Sequence, residues 1–204
     1  MTEKAPTPPR PLSQDAIVEA AQRLTRQVGV EKLTMRALAD ALGVSPMAPY
    51  HYVDGRDSLL LLVVERVMAG VQAPAPDGDQ PWDVQLWEYM QAMGQALAQY
   101  PGIADYLLDH ELTRAGRQYM RQCIAILVRG GFGGADARTA FILIYTYMWG
   151  GSIFQGMQNR HQATGRRRSR SGTIPTIDDL ASAQAVEVGY RTIVAGLRTT
   201  MATA

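Results

Sequence analysis

The sequence predicts an all-α protein in which an amino-terminal three-helix domain, built around a helix-turn-helix, is joined to a larger helical domain. Three observations support this. The stretch from Leu33 to Leu59, LTMRALADALGVSPMAPYHYVDGRDSL, encodes two short helices around a tight glycine turn and the start of a third. Two later segments, Ala135 to His161 and about Ile177 to Met201, are long and carry apolar residues at helical spacing. No strand signal competes.

Taken in order, residues 1 to 12, with four prolines, read as a mobile arm. An amphipathic helix then runs from Ser13 to about Gln27 and closes at Gly29-Val30. Thr34 caps a second helix reaching about Leu42, with Leu38 and Leu42 four apart on one face. Gly43 ends it in the positive-φ conformation that glycine adopts without a Cβ clash, and Val44 plugs the corner. Ser45 is placed to cap the next helix and Pro46 to open it. Pro49 is discordant: as the fourth helical residue it lacks the N–H that the Ser45 carbonyl would accept, so this helix begins loosely.

The short helix carries Met47, Ala48, Tyr50, His51 and Tyr52. These types suit a helix lying in a major groove, where Ala and Met meet thymine methyls while His and Tyr reach base edges or phosphates. Arg36 is the best candidate for a guanine contact, because its planar fork can donate twice to one base edge. Its other reading is a solvated surface arginine.

The segment from Leu59 to about Val71 is apolar on most faces and reads as the link between domains. Pro74, Pro76, Gly78 and Pro81 mark a loop. Helices are then expected at about Trp82 to Tyr100, Ile103 to Leu112, Arg114 to Arg129 and Ala135 to His161. The resulting division is 1–12 arm, 13–58 reader, 59–72 linker helix and 73–204 second domain. The Gly130 to Gly134 run is a turn, since it lacks the preceding strand of a nucleotide loop. Arg166 to Arg170 form a flexible basic loop.

Composition fits a folded, two-part chain: 204 residues at 47% hydrophobic content allow one sizeable or two small cores. Net charge is +1, and residues 1 to 70 balance eight Lys or Arg against eight Asp or Glu, so bulk charge does not advertise nucleic acid. Any affinity for it must come from cations gathered on one face. The single Cys123 excludes an intramolecular disulfide, and no Cys/His cluster has zinc spacing, so neither metal nor cofactor is expected. The amino end lacks a hydrophobic signal core. The uncharged run from Ala140 to Phe154 falls short of the ~20 residues a membrane span needs. A cytoplasmic location without membrane contact is expected.

Residues 13 to about 70 resemble the amino-terminal domain of the TetR family of bacterial transcriptional repressors. The resemblance lies in the amphipathic first helix, the Gly29-Val30 turn, Leu33-Thr34, Leu42-Gly43-Val44-Ser45, the Tyr50-His51-Tyr52-Val53 run, and the basic Arg56 before Leu59-Leu60. It implies that Thr34, Arg36, Ser45, Met47, Ala48, Tyr50, His51, Tyr52 and Arg56 occupy DNA-contacting positions. Arg56 stands where lysine is common, and Gly55 where a capping Ser or Asn is frequent. Asp54 and Asp57 flank the presumed phosphate contact unfavourably, which shifts weight to backbone amides.

The last two long helices suggest self-association. Ala135 to His161 is apolar nearly all round, and the terminal helix places Ala183, Val186, Tyr190, Ile193 and Leu197 in a continuous stripe. Small residues Gly150, Gly151, Ala185, Gly189 and Gly196 would let backbones approach. The same stripes would also serve a monomer core. The resemblance implies a homodimer through a four-helix interface, with Gly150, Gly151, Ile153, Val186, Gly189, Tyr190, Ile193 and Leu197 in it. Two readers then meet successive major grooves ~34 to 36 Å apart, on a near-palindromic double-stranded operator.

Ten methionines, with Tyr and Trp interspersed, can line a cavity for varied apolar ligands. The resemblance implies a small effector there, and Trp87, Met90, Met93, Leu97, Tyr106, His110, Tyr119, Cys123, Phe141, Tyr145 and Trp149 are the candidate lining, with Gln118 and Gln122 as further polar groups. The expected function is a repressor released by a small, largely apolar effector. The alternatives are a partner-binding protein, or an enzyme using Cys123 and His110. No motif places a base beside Cys123, so no catalytic residue is assigned.

Overall fold

The computed structural model describes residues 12–76, 78–163 and 182–202. The amino-terminal arm, the Arg166 to Arg170 loop and the beginning of the predicted last helix lie outside the described residues. Every regular element among those described is a helix: α1 Gln14–Val28, α2 Met35–Leu42, a 3₁₀ helix Ala48–His51, α3 Arg56–Ala69, α4 Trp82–Ala98, α5 Ile103–Leu108, α6 Arg114–Arg129, α7 Gly134–Ala163 and α8 Ala183–Ala202. Two compact units divide after Val63, inside α3.

In the first unit, local chemistry sets the helix ends. The Ser13 hydroxyl accepts the Ala16 N–H at 3.2 Å and the Thr34 hydroxyl that of Ala37 at 3.1 Å, so both helices start on side-chain caps. Gly43 adopts φ 67° and ψ 31°, and its N–H returns to the Ala39 and Asp40 carbonyls. The apolar face of α1 closes on α2, with Ile17, Ala21, Leu33, Leu38 and Ala39 fully buried beside Leu59, Leu60 and Val63.

The second unit packs α4, α6 and α7 around Leu86, Ile126, Leu127 and Ile144, each at 1% exposure or less. Trp82, at the start of α4, meets Phe132 edge-on at 5.2 Å and lies under the Arg198 guanidinium at 5.7 Å. Arg198 also pairs with Asp83 at 2.6 Å, which ties α8 to α4. Helix α5 ends at Leu108 rather than at the predicted Leu112. The Tyr106 carbonyl accepts the Asp109 N–H and lies 2.7 Å from His110 Nδ1, while the His110 ring stacks on Tyr106.

Candidate functional site

The residues expected to contact DNA surround the Gly43 turn. Thr34, Arg36, Ser45, Met47, Tyr50, His51 and Tyr52 are all exposed, Met47 at 66% and Tyr50 at 47%, while Ala48 is half-buried. Large apolar side chains left in water beside an arginine suit contact with bases and sugars better than they suit a solvated face. The surface is held from behind by buried Pro49 and Val53, and Gln14 Nε2 donates to the Tyr52 carbonyl at 3.1 Å.

The predicted helix from Ser45 is corrected. Ala48 donates to the Ser45 carbonyl, Tyr50 to Met47 and Tyr52 to Pro49, all three-residue steps, and no side-chain cap closes the 3₁₀ helix. Pro49 is the cause: without an N–H it forbids the four-residue bond to Ser45, and the chain takes the tighter turn that places its donors elsewhere. Ser45 is exposed before the helix and does not cap it.

Arg56 sits differently from a free cation. Its Nε donates to the Leu33 carbonyl at 2.8 Å and its Nη2 to the Val30 carbonyl at 2.7 Å, while Nη1 faces Asp57 at 3.3 Å. One planar side chain thus joins the start of α3 to the turn between α1 and α2.

In the second unit a cavity of about 230 Å³ is lined by Glu65, Met68, Ala69, Val71, Tyr89, Arg114, Ala115, Gln118 and Tyr119. Of the expected residues, Tyr119 and the polar candidate Gln118 reach it. Met90, Met93, Leu97, Tyr106, Cys123 and Phe141 are instead buried core, and Phe141, Tyr145 and Trp149 form a ladder of rings along α7 at 5.3 and 5.7 Å. Trp87 packs on Tyr190 at 4.8 Å, and His110 is occupied with Tyr106. Sequence reasoning missed Glu65, Tyr89 and Arg114. The available signal was Glu65 itself, a carboxylate inside the apolar run of α3.

The stripe expected between subunits is largely spent within one. Tyr190 is buried and its hydroxyl donates to the Asp83 carbonyl at 2.6 Å. A Cβ on Gly189 would fall 1.9 Å from the Tyr147 hydroxyl, and one on Gly151 would fall 3.0 Å from Val186, so both glycines seat α8 against α7 of the same chain. Tyr147 completes that contact by donating to the Ala185 carbonyl at 2.9 Å. Gly150 has open space beside its Cα, and Ile153, Ile193 and Leu197 are half-buried. Among the described residues, the large apolar side chains left exposed on these helices are Ile142 at 62%, Leu143 at 50% and Val188 at 56%.

Cys123 is fully buried, and its thiol shares a hydrogen bond with the Tyr119 phenol rather than facing a base. Burial pushes the Cys123 thiol up to about 12 and the Tyr89 phenol up to about 12, and raises Tyr119 further. Raised acids make the fold sensitive to alkali. Above the ordinary thiol value of 9.0 the unfolded chain releases protons that the folded chain retains, so stability present below that pH is lost as pH rises toward 12. Thermal unfolding followed from pH 8 to 11 is expected to show a falling midpoint, with a shallower fall in Cys123→Ala. An identical slope in the variant would remove Cys123 from this account.

Among the described residues no group of His, Cys, Asp and Glu lies together in a way that could hold a metal ion, and no helix is long and apolar enough to cross a membrane.

The profile of bacterial regulatory proteins of the tetR family matches residues 17–63, and that of the tetracyclin repressor-like C-terminal domain matches residues 73–201. The chain is 30% identical over 159 residues to an HTH-type transcriptional regulator of Saccharopolyspora erythraea, spanning 78% of this chain and 66% of that protein. It is 29% identical over 203 residues to the tetracycline repressor protein class A from transposon 1721 of Escherichia coli, covering 91% of this chain and 90% of the relative. Among solved structures, the Streptomyces coelicolor TetR family protein ActR in complex with actinorhodin superposes with a TM-score of 0.73 at 27% identity, over 93% of this chain and 97% of that one. These relatives are named as regulators and a repressor, not as enzymes. With the helix-turn-helix profile on the capped α1–α2 unit and the repressor-like profile on the cavity-bearing unit, the chain belongs to the TetR family of DNA-binding transcriptional regulators.

Proposed function

We propose that the protein is a homodimeric repressor that binds a near-palindromic operator and leaves it when a small effector enters the cavity of the second unit. The observation that carries this reading is the exposed set Arg36, Met47, Tyr50 and His51 around the left-handed Gly43 turn. Arg36 reads a guanine edge, Met47 and Ala48 meet thymine methyls, and Thr34, Ser45, Tyr50, His51 and Tyr52 contact the sugar-phosphate backbone or neighbouring base edges. Arg56 acts mainly by holding the surface in shape, with Nη1 as its remaining edge toward a phosphate.

Dimerisation uses the outer faces of α7 and α8, where Ile142, Leu143 and Val188 stand in water. Gly150 and Ile153 extend that face, whereas Tyr190 and Gly189 act inside the subunit. Support for an effector comes from the cavity and from ActR, which was solved with actinorhodin. Opposition of 1 to 3 kcal/mol between effector and operator changes affinity by ~5 to 150-fold, enough for a switch.

An electrophoretic shift with the intergenic DNA beside the gene tests the reading. A retarded, salt-sensitive band is expected, and Arg36→Ala and Tyr50→Ala each weaken it by about 1 to 3 kcal/mol while the sedimenting dimer is unchanged. Wild-type affinity in both variants would displace the reader from this surface. No band with any promoter would favour a partner-binding role.

A further inference from the structure

Of the cavity's two charged residues, Glu65 is met by the protein and Arg114 by solvent. Glu65, on α3, has its Oε2 accepting the Ala115 N–H at 2.7 Å, in the first turn of α6, and the next N–H, of Gly116, is held by the Thr113 hydroxyl at 3.1 Å. That carboxylate is therefore already met by a backbone donor and by the positive end of a 16-residue helix. Arg114 lines the mouth of the same cavity as an exposed side chain, and its guanidinium has no protein hydrogen-bond or ion-pair partner among the described residues. Gln118 stands one turn further along α6, while Met68 and the Tyr89 ring supply apolar wall. The volume of about 230 Å³ lies below the ~300 to 1,000 Å³ of pockets that take drug-sized ligands. An arginine met only by solvent is free to take an anion, and Met68 with the Tyr89 ring offers a flat ring a wall.

We propose that this cavity takes a small aromatic acid, its carboxylate held by Arg114 and Gln118 and its ring by Met68 and Tyr89, and that the acid's charge loosens the Glu65–Ala115 hydrogen bond joining α3 to α6. This rests on the effector reading above, and it replaces the largely apolar ligand expected from sequence with one bearing a single negative charge. An acid seated on Arg114 stands beside the Glu65 carboxylate, and like charges sharing a cavity repel. The ligand keeps Arg114, and Glu65 gives up the Ala115 amide. Helix α3 is the element that begins in the reader unit at Arg56, so releasing its far end is a direct route from cavity to operator.

The test is calorimetric titration of the full chain, without DNA, using 1-naphthoate, 1-naphthalenemethanol and 1-naphthylmethylamine. The acid is expected to bind at least about tenfold tighter than either comparison compound, and Arg114→Gln to abolish that preference. Glu65→Gln keeps an acceptor for Ala115 but removes the charge. It should bind 1-naphthoate several-fold tighter than the wild type, yet stay on the operator at acid concentrations that release the wild type. A purely structural Glu65 would not produce that pairing of tighter binding with lost release. Absence of heat with 1-naphthoate, equal binding of the alcohol or amine, or a Glu65→Gln protein that binds and releases as the wild type does would each overturn the proposal. Failure of the regulator reading is seen separately, as the lack of a retarded band in ligand-free protein.

Discussion

Gly130→Ala lowers the stability of the carboxy-terminal unit by about 1 to 3 kcal/mol, an overpacking cost. The backbone is not the reason. Gly130 has φ −71° and ψ 0°, which alanine adopts freely, and at such a position the smaller entropy of the unfolded alanine chain should stabilise by ~0.4 to 1 kcal/mol. The reason is space: the added Cβ would lie 2.5 Å from Trp82 Cγ and 2.9 Å from Trp82 Cβ. These are atoms near the main chain of α4, so the indole cannot swing clear without shifting the helix start. Phe132 on one side and Arg198 on the other also hold the ring. At ~2 to 4 °C per kcal/mol for a chain of this size, the unfolding midpoint falls by several degrees. In a Trp82→Ala background, which removes the Cγ and Cδ1 contacts but keeps Cβ, the same change costs less. A midpoint that rises in the otherwise wild-type chain would mean that this contact does not exist.

What was legible in the sequence was local. Ser13 and Thr34 cap helices because a hydroxyl one step before the first turn reaches N–H groups two or three residues on, and Gly43 ends α2 because the αL conformation is needed there. Pro49 announced trouble in the next helix, although not that the chain would answer with a 3₁₀ turn. Non-local assignments were harder. A stripe at steps of three and four shows that α8 has an apolar face, but it is silent on whether a neighbour in the same chain or a second copy covers it. Tyr190 and Gly189 are covered from within, and Val188, one residue away and outside the stripe, is the exposed one. The pocket lining was hard to assign for a related reason: Met, Leu and aromatic residues line cores and cavities alike. What separates the cavity from the core is the polar pair Glu65 and Arg114, whose juxtaposition spans 49 positions and has no periodic signature.

Arg56→Lys distinguishes a clamp from a simple phosphate contact, and the clamp predicts damage from a substitution that preserves charge. Lysine keeps the positive end that a phosphate would feel, but its ammonium cannot reproduce the fixed fork by which Nε and Nη2 reach the Leu33 and Val30 carbonyls at 2.8 and 2.7 Å. The Val30 carbonyl keeps the Leu33 N–H, but the part-buried Leu33 carbonyl left without its donor costs about 1 to 3 kcal/mol. Arg56→Lys should therefore destabilise the reader unit by about that much, and Arg56→Met by more, because methionine offers neither bond. The expected readout is a lower unfolding midpoint for the reader and weaker operator binding in both variants. Salt dependence completes the argument, since log affinity falls against log salt with a slope set by the number of phosphates neutralised. Arg56→Lys should leave that slope at its wild-type value while affinity drops, as expected when the surface loses shape and not charge. A lysine variant with wild-type midpoint and affinity would return Arg56 to the role of a phosphate contact, and would leave the turn between α1 and α2 to be held by Leu33 and Val30 packing alone.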